Sequence, residues 1–254
     1  MARLGSREIS NVVVKEIATG KPVLYLETLT VSSMEQTAEA VYARGGRGNP
    51  KRIMWESDKE IMYNMTDALI SPESLAMLLG TDPVASASKA VHKKESLVVE
   101  EEGDALVVKA EKDIDTDSNF FVFESQFGYD VGDEVTVTVG DINGNVIDVD
   151  DNGLSAGDRV IVDYYYLAKT TTMTVEVDAF PGYYMLEAET LWTREHDGAL
   201  LPAVFTMPRV KFASNFSIEN AATGDPATFD FNAECFPDAQ NQMVVIDVIE
   251  GDAE

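Results

Sequence analysis

Hydrophobic and polar residues alternate with a period of two along much of this chain, the spacing of strands with one buried and one solvated face. In "TTMTVEVDAF", Met173, Val175, Val177 and Ala179 fall on one face and Thr172, Thr174, Glu176 and Asp178 on the other, which predicts a half-buried strand. "ATFDFNAECF" repeats the pattern, with Phe229, Phe231, Ala233 and Cys235 opposite Thr228, Asp230, Asn232 and Glu234. "KRIMWESDKEIMYNMTDAL" predicts a hairpin: Ile53 and Trp55 on the outgoing strand, a turn over Ser57 to Glu60, and Ile61, Tyr63 and Met65 on the return. "PVLYLETLTV" and "NQMVVIDVIE" predict further strands. One stretch, "SPESLAMLLG", predicts a short helix packed by Leu75, Leu78 and Leu79. Ser71 suits the N-cap, Pro72 the first turn, Glu73 the positive end of the dipole, and Gly80 a left-handed stop. The expected fold class is all-β: a β-sandwich or barrel core with one short helix.

The composition changes between Glu95 and Ala168, where 19 acidic residues face three basic ones (Lys109, Lys112, Arg159). Short strands recur there between turn signals: "SLVVEEEGDALVVKAE", "NFFVFES", "GDEVTVTVGD", "GNVIDVD" and "GDRVIVDYYYLA". That spacing predicts an inserted small β-sandwich-like domain. Gly80 to Ala90 reads as the outgoing linker and Lys169 to Thr172 as the return. The expected domains are a discontinuous core over 1–90 and 169–254 and an insertion over 91–168. The echo between "VGDEVTV" and "AGDRVIV" is too short to indicate a repeat architecture.

With 254 residues the chain is long enough for a full core, and 45% hydrophobic residues speak against wholesale disorder. Its 45 acidic residues against 19 Lys and Arg give a net charge of −26, so the average surface repels nucleic acid and anionic lipid. The lone Cys235 excludes an intrachain disulfide and is expected in the core. No apolar run reaches the length that spans a bilayer and "MARLGSREIS" lacks a signal-peptide core, so a soluble chain without membrane insertion is expected.

Candidate chemistry mostly dissolves on inspection. "GGRGNPKR" lacks the glycine spacing and the Lys–Ser/Thr pair of a phosphate loop, and it leads into a strand. "DVDDNG", Asp148 to Gly153, opens like a calcium loop, but the twelfth position, which needs a bidentate Glu, is Arg159. A hairpin turn is the expected reading there; a weak calcium site from Asp141, Asn143, Asp148 and Asp150 is the alternative, and no metal or cofactor is assigned. His92 and His196 are expected in solvated loops, which leaves no histidine-based triad. In "YYY", alternation buries Tyr164 and Tyr166 with Val160 and Val162 and leaves Tyr165 outside. No enzyme is expected.

What survives is a basic, glycine-rich stretch in a very acidic chain: Arg44, Gly45, Gly46, Arg47, Gly48, Lys51 and Arg52, with no acid from Ala43 to Arg52. The run "ARGGRGNPKRIMWESDKEIMYNMTDALISPESLAMLLG", Ala43 to Gly80, resembles the major tail tube proteins of tailed bacteriophages, and "GDPATFDFNAECFPDAQNQMVVIDVIE" resembles their closing strands. The resemblance covers the first 80 and last 85 or so residues. It implies a virion protein, assembled in the host cytoplasm into six-subunit rings. Their strands close one continuous barrel and their rings stack around a tape measure protein and, later, passing DNA. Sheath, terminator and baseplate proteins are the other partners it implies. On this reading the basic residues sit on an inter-subunit loop facing carboxylates of a neighbour. Thr174, Glu176, Asp178, Asp230, Asn232 and Glu234 become candidates for a lumen face whose acidity keeps DNA from adhering. The insertion departs from the compact family pattern and favours a non-contractile, flexible tail or a sheath adapted to it. Competing readings are another phage structural role (tail terminator, head–tail connector or head decoration) and a calcium-dependent β-sandwich adhesin or carbohydrate-binding module.

Overall fold

A computed structural model describes residues 3–218, 222, 223 and 227–251; Met1, Ala2, the last three residues, and Gly224 to Pro226 of the expected closing stretch lie outside the described ones. The chain divides into two compact units, Met1–Pro83 with Met173–Glu254, and Val84–Thr172.

In the first unit the strands are β1 (Leu4–Ser6), β2 (Asn11–Glu16), β3 (Pro22–Leu26), β4 (Leu29–Arg44) and β5 (Lys51–Asp67), followed by helix α1 (Pro72–Leu79). The second unit contributes β6 (Val84–Val98), β7 (Glu100–Glu102), β8 (Ala105–Lys109), β9 (Phe121–Ser125), β10 (Glu134–Val135), β11 (Ile142–Asn143), β12 (Val146–Asp148) and β13 (Arg159–Thr172). The chain then returns to the first unit with β14 (Tyr183–Arg194), β15 (Leu200–Phe212), β16 (Phe229–Cys235) and β17 (Val245–Val248).

A nine-stranded sheet forms the first unit in the order β3-β2-β14-β15-β16-β5-β4, with β1 added to β14 and β17 to β15. All its pairings are antiparallel. One face is the core: Val12 and Val14, Leu186 and Ala188, Met207 and Val210, Phe231, Ala233 and Cys235 are buried together. Cys235 thus lies in the core as expected, and burial pushes its thiol up to about 11. Helix α1 closes this core through Leu78, with Ala76 and Leu79 also buried and Leu75 only partly covered. Its capping follows the sequence: the Ser71 hydroxyl accepts from Ser74 N–H at 3.0 Å, Ser74 Oγ accepts from Ser71 N–H at 3.0 Å, and Gly80 ends the helix at φ 71°.

The second unit packs two four-stranded sheets, β10-β9-β13-β6 and β11-β12-β8-β7, around Val108, Val122, Ile147, Val160, Val162 and Tyr164. Tyr166 packs at the margin of this core and Tyr165 lies on the other face, as alternation predicts.

Four local expectations are corrected. Ser57 to Glu60 is no hairpin turn, because β5 runs unbroken through it. Asp58 takes φ +50° and an extra residue enters between the Thr37–Glu60 and Glu39–Ser57 pairs, a bulge. The stretch from Met173 to Ala179 has no strand; it finds no ladder partner, and Val175 and Val177 are exposed, Val177 at 99%. The expected linker Gly80 to Ala90 becomes strand from Val84 onward, paired with Leu167–Thr172, a stretch that includes the expected return Lys169 to Thr172. Finally, Asp150–Asn152 forms a single turn of 3-10 helix rather than a hairpin turn.

Candidate assembly surface

Beyond the bulge, β4 and β5 leave the core and continue as a two-stranded arm. On β5 the alternation of buried Ile61, Tyr63, Met65 and Asp67 stops at Glu60, and Lys51 to Glu60 are all exposed. The register sets the arm's two faces. Val41 opposes Trp55 and Ala43 opposes Ile53, while Tyr42 opposes Met54 and Arg44 opposes Lys51 on the reverse side. Val41, Ile53, Met54 and Trp55 are each more than half exposed. Ile53, Met54 and Trp55 are a run of three apolar residues, yet nothing among the described residues covers them. A two-stranded ribbon is marginal in water, and its open edges and apolar side chains are a hazard unless another surface takes them.

The basic glycine stretch forms the tip. Gly45 N–H donates to Pro50 O at 3.3 Å and Asn49 N–H to Gly46 O at 3.0 Å. Gly46 and Gly48 take φ of +90° and +85°, where a side chain would be strained. At Gly46 a Cβ would also stand 2.7 Å from the Arg52 guanidinium, whose Nε donates to Gly45 O at 3.1 Å. Lys51 Nζ lies 3.6 Å from the Tyr42 ring centroid, and Arg44 approaches the same ring. These contacts hold cations over an aromatic face while leaving their charge toward solvent. None of Arg44, Arg47, Lys51 and Arg52 has an ion-pair partner among the described residues.

Asp230, Asn232 and Glu234 lie on β16 facing away from the core, opposite Thr66, Asn64 and Met62 of β5. Asp230 Oδ1 accepts the Thr66 hydroxyl at 2.8 Å. The same outward sheet face carries Glu35, Glu187 and Glu189, against Lys15 and Lys211, and Lys15 Nζ pairs with Glu187 at 2.5 Å. Thr174, Glu176 and Asp178 do not join this face, since their segment forms no strand.

Several carboxylates of the second unit accept from its own backbone. Asp141 Oδ2 accepts Thr138 N–H at 2.7 Å, which holds its carboxyl below the usual range. Asp148 Oδ1 accepts Asp150 N–H and Asp150 Oδ1 accepts Leu106 N–H. The Asp151 side chain lies outside the described ones. Among the described residues no group of three or more His, Cys, Asp or Glu is placed to hold a metal ion. His92 is not in a loop, as expected, but on β6 with Nε2 2.8 Å from Asp163 Oδ1; His196 does lie in a turn. Lys93 is pushed up by Glu111 and Glu95, which clasp it. Sequence reasoning missed the arm itself, and the signal was available: Ser32 to Ala40 has too few apolar residues for either face to be core.

No curated protein matches the chain significantly. The model of the YomU/Tube protein family matches residues 6–248, which takes in both units. With nearly the whole chain covered, the protein belongs to the YomU/Tube protein family, in keeping with the tail tube resemblance of its sequence.

Proposed function

We propose that the protein is the repeating subunit of a phage tail tube, a structural virion component that assembles with copies of itself and has no catalytic role. The observation that carries this reading is the arm: a two-stranded ribbon with apolar side chains on both faces and a cationic tip, on a chain of net charge −26. The arm docks on the next subunit, where Val41, Ile53 and Trp55 lose their contact with water. Arg44, Arg47, Lys51 and Arg52 meet carboxylates, which are abundant on every copy. The subunits form six-membered rings that stack, with a tape measure protein inside during assembly and DNA passing later.

The outward sheet face with Asp230, Asn232 and Glu234 lines the lumen on this reading. Six carboxylates (Glu35, Glu187, Glu189, Asp230, Glu234, Asp247) against three cations (Lys15, Arg209, Lys211) on one face support it, because such a wall repels phosphate and lets DNA slide. Thr174, Glu176 and Asp178, in an irregular segment, are not part of that wall. Sheath, terminator and baseplate proteins would meet the tube only at its outside or its ends.

Negative-stain electron microscopy over a concentration series tests the proposal, with wild type beside R44S/R47S/K51S/R52S and beside W55S. Hollow tubes or stacked rings from wild type, lost or shortened in both variants, are expected. Monomers from wild type at every concentration would overturn the tube reading, and tubes from both variants would overturn the arm's part in it.

A further inference from the structure

Sheet β10-β9-β13-β6 of the second unit buries one face in the core; on the other, Ile161 and Ser125 are buried while several aromatic and charged side chains stay partly or largely exposed among the described residues. Register places Asp163 opposite Phe121 and Tyr165 opposite His92 on that outer face, with Phe123 two residues along from Phe121. Aromatic rings recur across it in pairs. Phe121 and Phe123 stack at 6.2 Å between centroids and 23° between planes, and His92 and Tyr165 meet edge-on at 5.5 Å. A third pair, Phe127 and Tyr129, stacks at 5.8 Å and 19° on the loop after β9. Phe127 is 59% exposed and Tyr129 77%.

That loop is built to hold still. The Asp130 carboxylate accepts Phe127 N–H at 2.7 Å, Ser125 Oγ–H at 2.8 Å and Gln126 N–H at 3.0 Å, and Gly128 N–H donates to Ser125 Oγ at 2.8 Å. Gly128 approaches β6 so closely that a Cβ there would come within 2.6 Å of Ser96 Oγ, so the loop lies against the sheet. Beside it a cleft of about 520 Å³ is lined by Glu124, Gln126, Asp130, Asp158 and Arg159.

We infer that this outer face is a binding site for a neutral polysaccharide. Flat, solvent-facing aromatic pairs offer a stacking surface to the C–H faces of pyranose rings, and the amide, carboxylates and guanidinium of the cleft suit their hydroxyl rims. Fixing the rings in place before binding removes much of the ordering cost. Charge selects among ligands. Residues 84–172 hold 19 acidic and seven basic side chains, a net of −12, which turns away nucleic acid and anionic cell-wall polymers whatever their stacking ability. A second copy of the chain fits less well, because the centres of protein interfaces are depleted of charge, whereas here Asp163 and Lys94 stand among the rings. Single-site binding would be weak, and a gain from many copies along one tail rests on the tube reading; the site chemistry does not.

Isothermal titration of the full chain with cellohexaose, laminarihexaose and N-acetylchitohexaose tests the inference, with heparin as the polyanion. Saturable binding of at least one neutral oligosaccharide and none of heparin is expected. F127A/Y129A should weaken binding by at least about tenfold, the worth of two lost stacking contacts, with an unchanged melting temperature. Phe121→Ser provides a second, independent lesion on the same face. Absence of heat with all three oligosaccharides at millimolar concentration would overturn the inference, as would wild-type affinity in both variants. If wild type binds none of them and F127A/Y129A instead releases monomers in sedimentation, the face belongs to self-association. Tube formation by F127A/Y129A in the electron microscope keeps this outcome separate from that of the assembly proposal.

Discussion

Replacing Gly80 by alanine isolates the cost of one close approach in the first unit. Gly80 ends α1 at φ +71°, and its N–H with that of Thr81 caps the helix on Met77 O and Ala76 O at 3.3 and 3.2 Å. A Cβ there would lie 2.4 Å from the Phe180 carbonyl carbon and 2.5 Å from its oxygen, both backbone atoms that cannot swing aside. Gly20, in the turn between β2 and β3, has nearly the same φ, +69°, but nothing within 4 Å of its would-be Cβ. Both substitutions carry the left-handed backbone penalty of about 1–2 kcal/mol. Gly80→Ala adds a displacement of the helix end or of the Phe180 segment, about 1–3 kcal/mol by the usual cost of overpacking.

The two variants should therefore separate on melting. For a protein of this size 1 kcal/mol moves the melting temperature by about 2–4 °C, so Gly80→Ala should melt roughly 2–12 °C below Gly20→Ala. Calorimetry is done at a dilution where sedimentation shows monomers, because assembly raises apparent stability by mass action. Equal melting temperatures would refute the reasoning: the segment around Phe180 would then give way without cost, and the closeness of the contact would not be what requires glycine at position 80.

Two further outcomes follow from the second unit. A fragment of residues 84–172 should melt cooperatively, whereas 95–168 should not, since it removes the β6 residues that pair with Asp163–Ala168 and with them Lys93, which bridges Glu95 and Glu111; equal cooperativity by calorimetry would show that the ribbon is dispensable. Asp130 has its carboxyl lowered from 3.8 to about 2, first by the Phe127 N–H. A depressed folded-state value means its contribution is present above the unfolded value and is lost as pH falls from about 4 through about 2. Protection of the Phe127 amide against proton exchange, taken relative to the intrinsic rate at each pH, should fall in that window in wild type and already be low at neutral pH in Asp130→Asn; a midpoint near 4 in wild type would contradict the pinned loop.

Helix α1 was fully legible because everything that defines it is local: a capping serine, a proline, a glycine that takes the left-handed turn. Strands whose partners bury one face, such as β16 and β13, were legible for a similar reason, since alternation reports that burial directly. Failures came where alternation or turn chemistry had more than one use. Met173 to Ala179 alternates as well as β16 does but finds no ladder, and a strand without hydrogen-bonded neighbours does not form. Ser57 and Asp58 supply turn chemistry, and the chain spends it on a bulge. Small and polar residues from Val84 to Ala90 look like a linker because that end of the β6–β13 ribbon is mostly exposed. Asp130 and the aromatic pairs of the outer face left no sequence signal, since only the folded register brings β9, β13 and β6 side by side.

Trp55 joins these strands of argument. A run of Ile53, Met54 and Trp55 is apolar enough to leave water, and the 54% exposure of Trp55 says that the described residues do not cover it. Period-two hydrophobicity records that a surface leaves water without recording whose surface replaces it. In a monomer the two statements conflict; in the proposed assembly they agree, because there the arm's apolar side chains would be core residues of the complex. The same reasoning fixes the order of the arm's parts. On the proposed reading, cations at the tip would act at a distance and bring the arm to an acidic neighbour, whereas Val41, Ile53 and Trp55 would contribute only on contact. Charge removal should therefore slow tube growth in a salt-dependent way, while Trp55→Ser should shorten the lifetime of tubes already formed.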